Sequence, residues 1–576
     1  MSQITLTVDG IEVTVPKGTT VLEAARAAGV KIPTLCHHPE LKNEGACRVC
    51  IVEVEGARTL VASCVYPAAD GMVVRTNTEQ VREARRTIVE LILANHPWDC
   101  LTCARNNNCE LQKLAFDCGI KELRITGRKR EAEVDNSSRS IVRDPEKCVL
   151  CGRCVRVCRD VQGVSAIDHS GRGFDTMIGP ALDRPLGEVA CVNCGQCINV
   201  CPVGAITEKS DVDRVWAALS DPELHVVVQV APAVRVSLGE ALGGKPGSIV
   251  TGKMVAALRR LGFDKVFDTD FAADLTIIEE GHELLERMKS GGKLPMITSC
   301  SPGWIKFIEH FYPELLPHLS TCKSPQQMFG ALAKTYYAQK VGIDPEKIYV
   351  VSIMPCTAKK FEAERPEMSS NSAGTRDVDA VLTTRELARM VQEIGIDFDN
   401  IPEEEFDEPL GISTGAGAIF GATGGVMEAA LRTVYEVVSG EELPSLNFTA
   451  VRGLEGVKEA EVDIKGTKVK VAVAHGLGNA RKLLEAIKAG KADYHFIEIM
   501  CCPGGCIGGG GQAIPVNADI RRQRLEAIYE VDEQMTLRKS HDNPAVKELY
   551  EEFLKEPLGE LSHKLLHTSY TERERF

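Results

Sequence analysis

Three apolar runs, far apart in the chain, each run into a cysteine: Leu294–Cys300, Tyr349–Cys356 and Phe496–Cys502. Short β-branched runs bounded by turn residues read as buried parallel strands. In open α/β sheets, ligands sit in the crevice at the carboxyl ends of such strands. The second half of the chain therefore aims several thiols at one point in a sheet-built pocket, which points to a metal centre.

The cysteine count decides between metal and disulfides. The chain has 576 residues, 22 of them cysteine, and its start shows no charged segment followed by an apolar one. No secretory signal is visible and no run of about 18 apolar residues implies a membrane span. Reduced thiols in a cytoplasmic protein favour metal binding. With Lys+Arg 67 against Asp+Glu 81 the net charge is −14, which excludes a nucleic-acid footprint and suits redox partners or other subunits. The length calls for roughly three to five domains.

Residues 1–78 read as a 2Fe–2S domain. Ile4, Leu6, Val8 and Val13, Val15 alternate around Asp9-Gly10, a hairpin signal, and Thr20 with Glu23 forms a capping box for a helix stopping at Gly29. Cys36, Cys47, Cys50 and Cys64 follow in a variant of the plant-type ferredoxin spacing, with Gly45 and Ala46 beside the ligands. The segment is similar to the N-terminal domain of respiratory complex I's large iron–sulfur subunit; a structural zinc site is the alternative. Residues 79–120 begin with an amphipathic helix over 79–95 that delivers His96 to Cys100, Cys103 and Cys109. A cluster needs four ligands and only three thiols are grouped here, so His96 is read as the fourth. Cys118 is left over and is expected to be a buried structural thiol.

Residues 138–209 carry the most specific spacings: Cys148, Cys151, Cys154, Cys158 and Cys191, Cys194, Cys197, Cys201. Both match the two-cluster bacterial ferredoxin run, in which the fourth cysteine serves the other cluster. The spacing pairs Cys148, Cys151 and Cys154 with Cys201, and Cys191, Cys194 and Cys197 with Cys158. From Leu224 strand and helix signals alternate to about residue 520, as in stacked α/β lobes. Pro503 stiffens the last thiol loop, and Gly504-Gly505 and Gly508–Gly511 are expected to let backbone approach a cofactor.

These loops carry a resemblance. Thr298-Ser-Cys300-Ser-Pro-Gly-Trp304, Met354-Pro-Cys356-Thr-Ala-Lys359 and Glu498-Ile-Met500-Cys-Cys502-Pro-Gly-Gly-Cys506 resemble the three signature loops of iron-only (FeFe) hydrogenases. Ser324-Pro-Gln-Gln, Gly415–Gly425 and Arg452-Gly453 support it. The chain looks most like the long clostridial type and the catalytic subunits of NAD(P)-linked, electron-bifurcating complexes. The implied fold is multidomain α+β and α/β: N-terminal ferredoxin-like iron–sulfur domains, an α/β two-lobed hydrogenase catalytic domain over 210–525 and a small-subunit-like tail over 526–576. The implied cofactors are one 2Fe–2S cluster, three accessory 4Fe–4S clusters and an H-cluster, a cubane 4Fe–4S bridged to a di-iron unit carrying CO, cyanide and an azadithiolate.

The resemblance implies Cys356, Cys502 and Cys506 as cubane ligands, with Cys506 as the bridge. Lys359 would hold a cyanide. Met354, Met500, Ala231 and Pro232 would pack the di-iron unit, and Glu280, Glu283 and Ser320 would relay protons. On residues alone Glu279–Glu283 reads as a solvated helix face. One departure stands out: the family has adjacent cysteines in the first loop, one relaying protons and one ligating the cubane, whereas this chain has Cys300-Ser301 and an extra Cys501. Serine is a poor soft-metal ligand. Either Cys300 ligates and Cys501 donates protons, which is the preferred expectation, or Cys300 relays and Ser301 or water completes the cubane.

The expected function is therefore reversible reduction of protons to H2, with electrons relayed through the accessory clusters. No complete Gly-x-Gly-x-x-Gly follows a strand, so nicotinamide would bind a separate partner protein. Expected partners are ferredoxin, an NAD(P)-binding flavoprotein, small iron–sulfur subunits and maturation factors. The alternatives are a stand-alone ferredoxin-dependent hydrogenase and a non-catalytic iron–sulfur scaffold or H2 sensor.

Overall fold

A computed structural model describes residues 2–370 and 374–575; the outer bounds of the first and last expected segments, Met1 and Phe576, lie outside them. The chain divides into two compact units, one of residues 1–160, 165–188 and 200–207, the other of 161–164, 189–199 and 208–576. The expected 138–209 segment is thus shared: Cys158 and Cys201 belong to the first unit, Cys191, Cys194 and Cys197 to the second.

The first unit opens with the antiparallel pair Gln3–Val8 and Ile11–Pro16. Asp9 and Gly10 both have positive φ, at 48° and 84°, as a two-residue hairpin turn of this hand requires. The capping box is present: the Thr20 side chain accepts from the Glu23 amide and Glu23 accepts from the Thr20 amide at 2.8 Å. Five strands form this sheet. The helix Glu79–Ala94 follows, capped by Thr78. Cys118, expected to be buried, is half-buried at the end of the helix Glu110–Asp117, because that short helix buries only Leu111 and Leu114 and turns its last residue outward.

The second unit is built on two sheets. Lys265–Asp268, His225–Val230, Ile348–Met354 and Ala380–Thr383 pair in that order, all parallel. Met296–Ile297, Phe496–Met500 and Thr467–His475 pair in parallel, with Val457–Ile464 antiparallel at the edge. The three thiol-ended runs therefore lie in two sheets, one run in the first and two in the second. Each sheet has its own apolar core, Val226–Val228, Val350 and Val351 in one, Val471, Val473 and Phe496 in the other. Buried on both faces, such strands are continuous Val/Ile runs with no polar alternation, which is why the sequence shows them.

The 22-residue helix Thr269–Ser290 starts where Asp268 accepts a hydrogen bond from the Asp270 amide and ends at Gly291, φ 72°. At 1.5 Å per residue it is about 33 Å long. The tail docks onto this unit: the Lys323 amide donates to the Leu566 carbonyl at 2.7 Å and Arg573 to Glu309 at 2.6 Å.

Candidate functional site

The carboxyl ends of strands from both sheets open on one small cavity of about 80 Å3. Cys194, Cys300, Cys356, Cys501, Cys502 and Cys506 line it. So do Lys359, Ala231, Pro232, Met354 and Met500, which the sequence singled out, and Phe420, Ala273 and Gln326, which it did not. The wall is mostly apolar, so a group held there is kept dry.

Close backbone packing holds the thiol loops. A Cβ on Gly509 would lie 2.0 Å from the Pro355 carbonyl oxygen, and one on Gly510 2.2 Å from that of Cys194. Gly505 and Gly509 line the cavity, and Gly509 and Gly510 also let the loops carrying Cys194, Cys356 and Cys506 touch through their main chains. Hydrogen bonds fasten the same contact, from Gln196 to the Gly508 carbonyl at 2.9 Å, Asn199 to Gly509 at 3.0 Å and Thr357 to Asn193 at 2.7 Å. Gln512 donates to the Cys506 carbonyl at 3.1 Å. Glu498, fully buried, accepts from the Gly424 and Met427 amides at 2.6 and 2.8 Å, fixing the strand before Cys501 to the start of the helix Gly425–Ser439.

The thiols are electrostatically costly as they stand. Burial pushes Cys506 up to about 12, and the neighbouring Cys502 adds to it. Burial also raises Cys356, with Cys502 and Cys506 adding to it. A cationic cluster would reverse this by favouring the thiolates, so the donor set fits an iron–sulfur group. Lys359 faces the same thiols, donating to Glu362 at 2.9 Å and to the Cys300 carbonyl at 3.2 Å.

Glu279, Glu280 and Glu283 are 0%, 2% and 7% exposed, so the solvated-face reading is overturned: the long helix is packed on all sides at this point. Glu280, Glu283 and Arg287 stand at i, i+3 and i+7 along one face. Ser320 donates to Glu283 at 2.9 Å and Arg287 to Glu283 at 2.6 Å. Burial raises Glu280 to about 8, Ser320 opposing and Glu283 assisting. Burial raises the Cys300 thiol as well, and Glu280 is the charge acting on it most strongly. These groups form a line from the Cys300 side of the cavity to Arg287, whose side chain is 14% exposed. Sequence reasoning missed Arg287 and a buried trio, Glu283, Cys322 and His567, whose ligand atoms lie within 4.8 Å of one another. His567 is 284 positions beyond Glu283, so no local pattern announces it.

In the first unit the expected ligand sets are more local. Cys36, Cys50 and Cys64 are buried and Cys47 half-buried. The Cys36 amide donates to the Cys47 sulfur at 3.3 Å, and hydrogen bonds from Cys47 and Cys64 hold the Cys36 thiol well below its usual range. Cys148, Cys151, Cys154 and Cys201 line one small cavity of about 20 Å3. His96 is buried, its ring is bonded to the Lys147 backbone, and its Nδ1 has no partner. One nitrogen held by backbone and the other left open is the arrangement of a metal-ligating imidazole. Cys103 and Cys109 are half-buried and Cys100 is exposed. Arg153 and Arg156, inside the Cys148–Cys158 run, were missed: Arg156 donates to the Cys36 carbonyl at 2.7 Å and the Cys151 carbonyl at 3.0 Å, Arg153 to Glu110 at 2.6 Å and the His37 carbonyl at 2.8 Å. They tie two thiol loops together by charge-assisted bonds.

Known protein families match five stretches of the chain. Residues 224–510 match the C-terminal domain of the iron only hydrogenase large subunit, and 518–573 match the iron hydrogenase small subunit. Residues 1–79 match a 2Fe–2S binding domain, 85–124 the NADH-ubiquinone oxidoreductase-G iron–sulfur binding region and 138–207 the ferredoxin-like domain of NADH-quinone oxidoreductase subunit 3. The chain is 52% identical to NADP-reducing hydrogenase subunit HndD of Solidesulfovibrio fructosivorans over 100% of both chains. It is 43% identical to iron hydrogenase 1 of Clostridium pasteurianum over 98% of this chain and 99% of that one. The solved apo FeFe-hydrogenase HydA1 from Chlamydomonas reinhardtii superposes at TM-score 0.58 with 46% identity, covering 64% of this chain and 100% of that one. The chain belongs to the iron-only hydrogenases. It is an enzyme of that family, with 2Fe–2S and 4Fe–4S iron–sulfur domains ahead of an H-cluster domain. Among the described residues no helix is long and apolar enough to cross a membrane.

Proposed function

We propose that the chain is the catalytic subunit of a cytoplasmic, NAD(P)-linked hydrogenase assembly that interconverts protons and H2. The observation that carries the catalytic part is the single dry cavity shared by Cys300, Cys356, Cys501, Cys502, Cys506 and Lys359. The H-cluster, when bound, supplies the iron site at which protons and electrons combine. The protein's part is fourfold. Cys356, Cys502 and Cys506 provide thiolates; Lys359, oriented by Glu362, provides a positive charge for an anionic ligand of the cluster. Ala231, Pro232, Met354 and Met500 exclude water. Glu280, Ser320 and Glu283 move protons between the Cys300 side of the cavity and Arg287.

Five segments divide the work: a 2Fe–2S domain (1–78), a His96/Cys100/Cys103/Cys109 cluster domain (79–120), a two-cluster domain (138–209), the H-cluster domain (210–525) and the tail (526–576). One 2Fe–2S and three accessory 4Fe–4S clusters form the electron route. Similarity to a protein named as NADP-reducing over its full length supports a nicotinamide-linked complex whose flavoprotein is a separate chain, with ferredoxin as a further donor. Native purification tests this. An assembly that reduces NADP with H2 supports it; a monomer active only with ferredoxin contradicts it.

A further inference from the structure

A cubane needs four soft ligands, and three loops offer five thiols to this cavity besides Cys194. Cys356, Cys502 and Cys506 are the three the signature loops supply; Cys300 and Cys501 compete for the fourth place. Their surroundings differ. The Cys501 sulfur is within hydrogen-bonding reach of the Cys502 sulfur on one side and the Cys194 sulfur on the other. Its amide donates to the Ser301 hydroxyl at 3.2 Å. A Cβ on Gly303 would lie 2.6 Å from the Cys501 sulfur, so the first loop leaves at Gly303 the space that this thiol fills. Cys300 instead faces Glu280, at the head of the carboxylate line, and Lys359 holds its carbonyl.

We infer that Cys501 supplies the fourth thiolate of the cubane, in place of Ser301, and that Cys300 stands at the proton-relay end. The Cys501 main chain is tied to the Ser301 hydroxyl and its sulfur fills the space at Gly303, two residues further on, so this thiol meets the first loop beside Ser301 on the wall of the same cavity. The serine oxygen, a hard ligand protonated at neutral pH, cannot serve iron as a thiolate does. The preferred expectation from sequence, ligation by Cys300 and proton donation by Cys501, is thereby reversed. One further consequence is electronic: Cys501 also touches Cys194, a thiol of the neighbouring ferredoxin-type run, so a ligand of the cubane lies against a ligand of the next cluster.

This inference rests on the proposed H-cluster reading, and the test separates the two. Full-length, matured protein is compared as the unmutated chain, Cys501→Ala, Cys300→Ala and the double variant Ser301→Cys/Cys501→Ala, by iron content, EPR and infrared spectra. Cys501→Ala is expected to lose about four irons per chain together with the CO and cyanide bands, while the accessory-cluster EPR signals persist. The double variant is expected to regain both, which also answers the objection that Cys501→Ala merely misfolds. Cys300→Ala is expected to keep the iron and the bands and lose turnover. The inference is overturned if Cys501→Ala keeps the cubane, if it loses an accessory signal instead, or if the double variant recovers nothing. If the unmutated chain itself lacks CO and cyanide bands, the H-cluster reading fails, not the ligand assignment.

Discussion

The two units solve the same problem, holding iron with thiolates, in opposite ways. In the first unit the expected ligands come mostly in short runs: Cys36, Cys47, Cys50 and Cys64 in one loop system, and Cys148, Cys151 and Cys154, which Cys201 joins around one cavity. Several of these sulfurs are half-buried, and Cys100 is exposed. In the second unit the ligands arrive from loops far apart in sequence, and the cavity they share is closed by main-chain contacts at Gly509 and Gly510. A local set tolerates change nearby and fails alone. A converged set fails whenever any of its loops moves.

The sharpest break of this contrast is Cys502→Ala, or Gly509→Ala, which removes no sulfur at all. The added methyl would meet the Pro355 oxygen at 2.0 Å, so a loop must shift. Displacement of a reacting group by about 1 Å costs on the order of 100-fold, and both variants should lose at least that in H2 evolution from a chemical reductant. Accessory-cluster EPR signals should survive. Near-normal activity of Gly509→Ala would end the claim that backbone packing sets the site.

Next in size is the carboxylate line. Glu283→Gln should lower turnover about 100-fold, in the range of a lost proton-transfer group, with infrared bands unchanged. Glu280 should give the turnover profile an inflection near pH 8 that Glu280→Gln abolishes. The same shift acts on stability. A carboxyl held protonated up to about 8 in the fold but ionised from about 4.5 upward when unfolded favours folding at low pH. That contribution disappears as pH rises through 8. A denaturant midpoint of the apo chain that falls across this window in the parent and less in Glu280→Gln would check the sign.

Smaller effects are expected on the wiring side. His96→Ala should alter one accessory cluster's EPR signature and leave H2 chemistry with artificial donors within about twofold, since that assay bypasses the relay. If every accessory signal is unchanged, the open Nδ1 is not a ligand. Cys118→Ser should change neither cluster signals nor stability beyond about 0.5 kcal/mol, as for other half-exposed positions without a special contact.

The contrast also explains what could be read from sequence. The hairpin at Asp9-Gly10, the Thr20 capping box and the ferredoxin spacings are local, and each was legible. The three buried strands were legible because two-sided burial leaves Val/Ile runs. Which sheet each strand joins was not, since pairing depends on packing between distant segments. The glycine run of the third loop was visible, but its role, seating one loop on the carbonyls of two others, exists only in three dimensions. Glu279–Glu283 shows the limit most plainly. A charged stretch looks solvated until the tail residue His567, bonded to Glu279 at 3.1 Å, and Ser320 enclose it. Arg153 and Arg156 were hidden similarly, as ordinary charges inside a cysteine run.

The central claim is that the converged cavity holds an H-cluster. Infrared spectroscopy of the matured, full-length protein tests it most directly, because bound CO and cyanide absorb where proteins do not. The account expects bands from both ligands, retained when His96 in the first unit is removed and lost when Cys502 is. A well-prepared, iron-replete protein with accessory-cluster EPR signals but no CO or cyanide bands would contradict it.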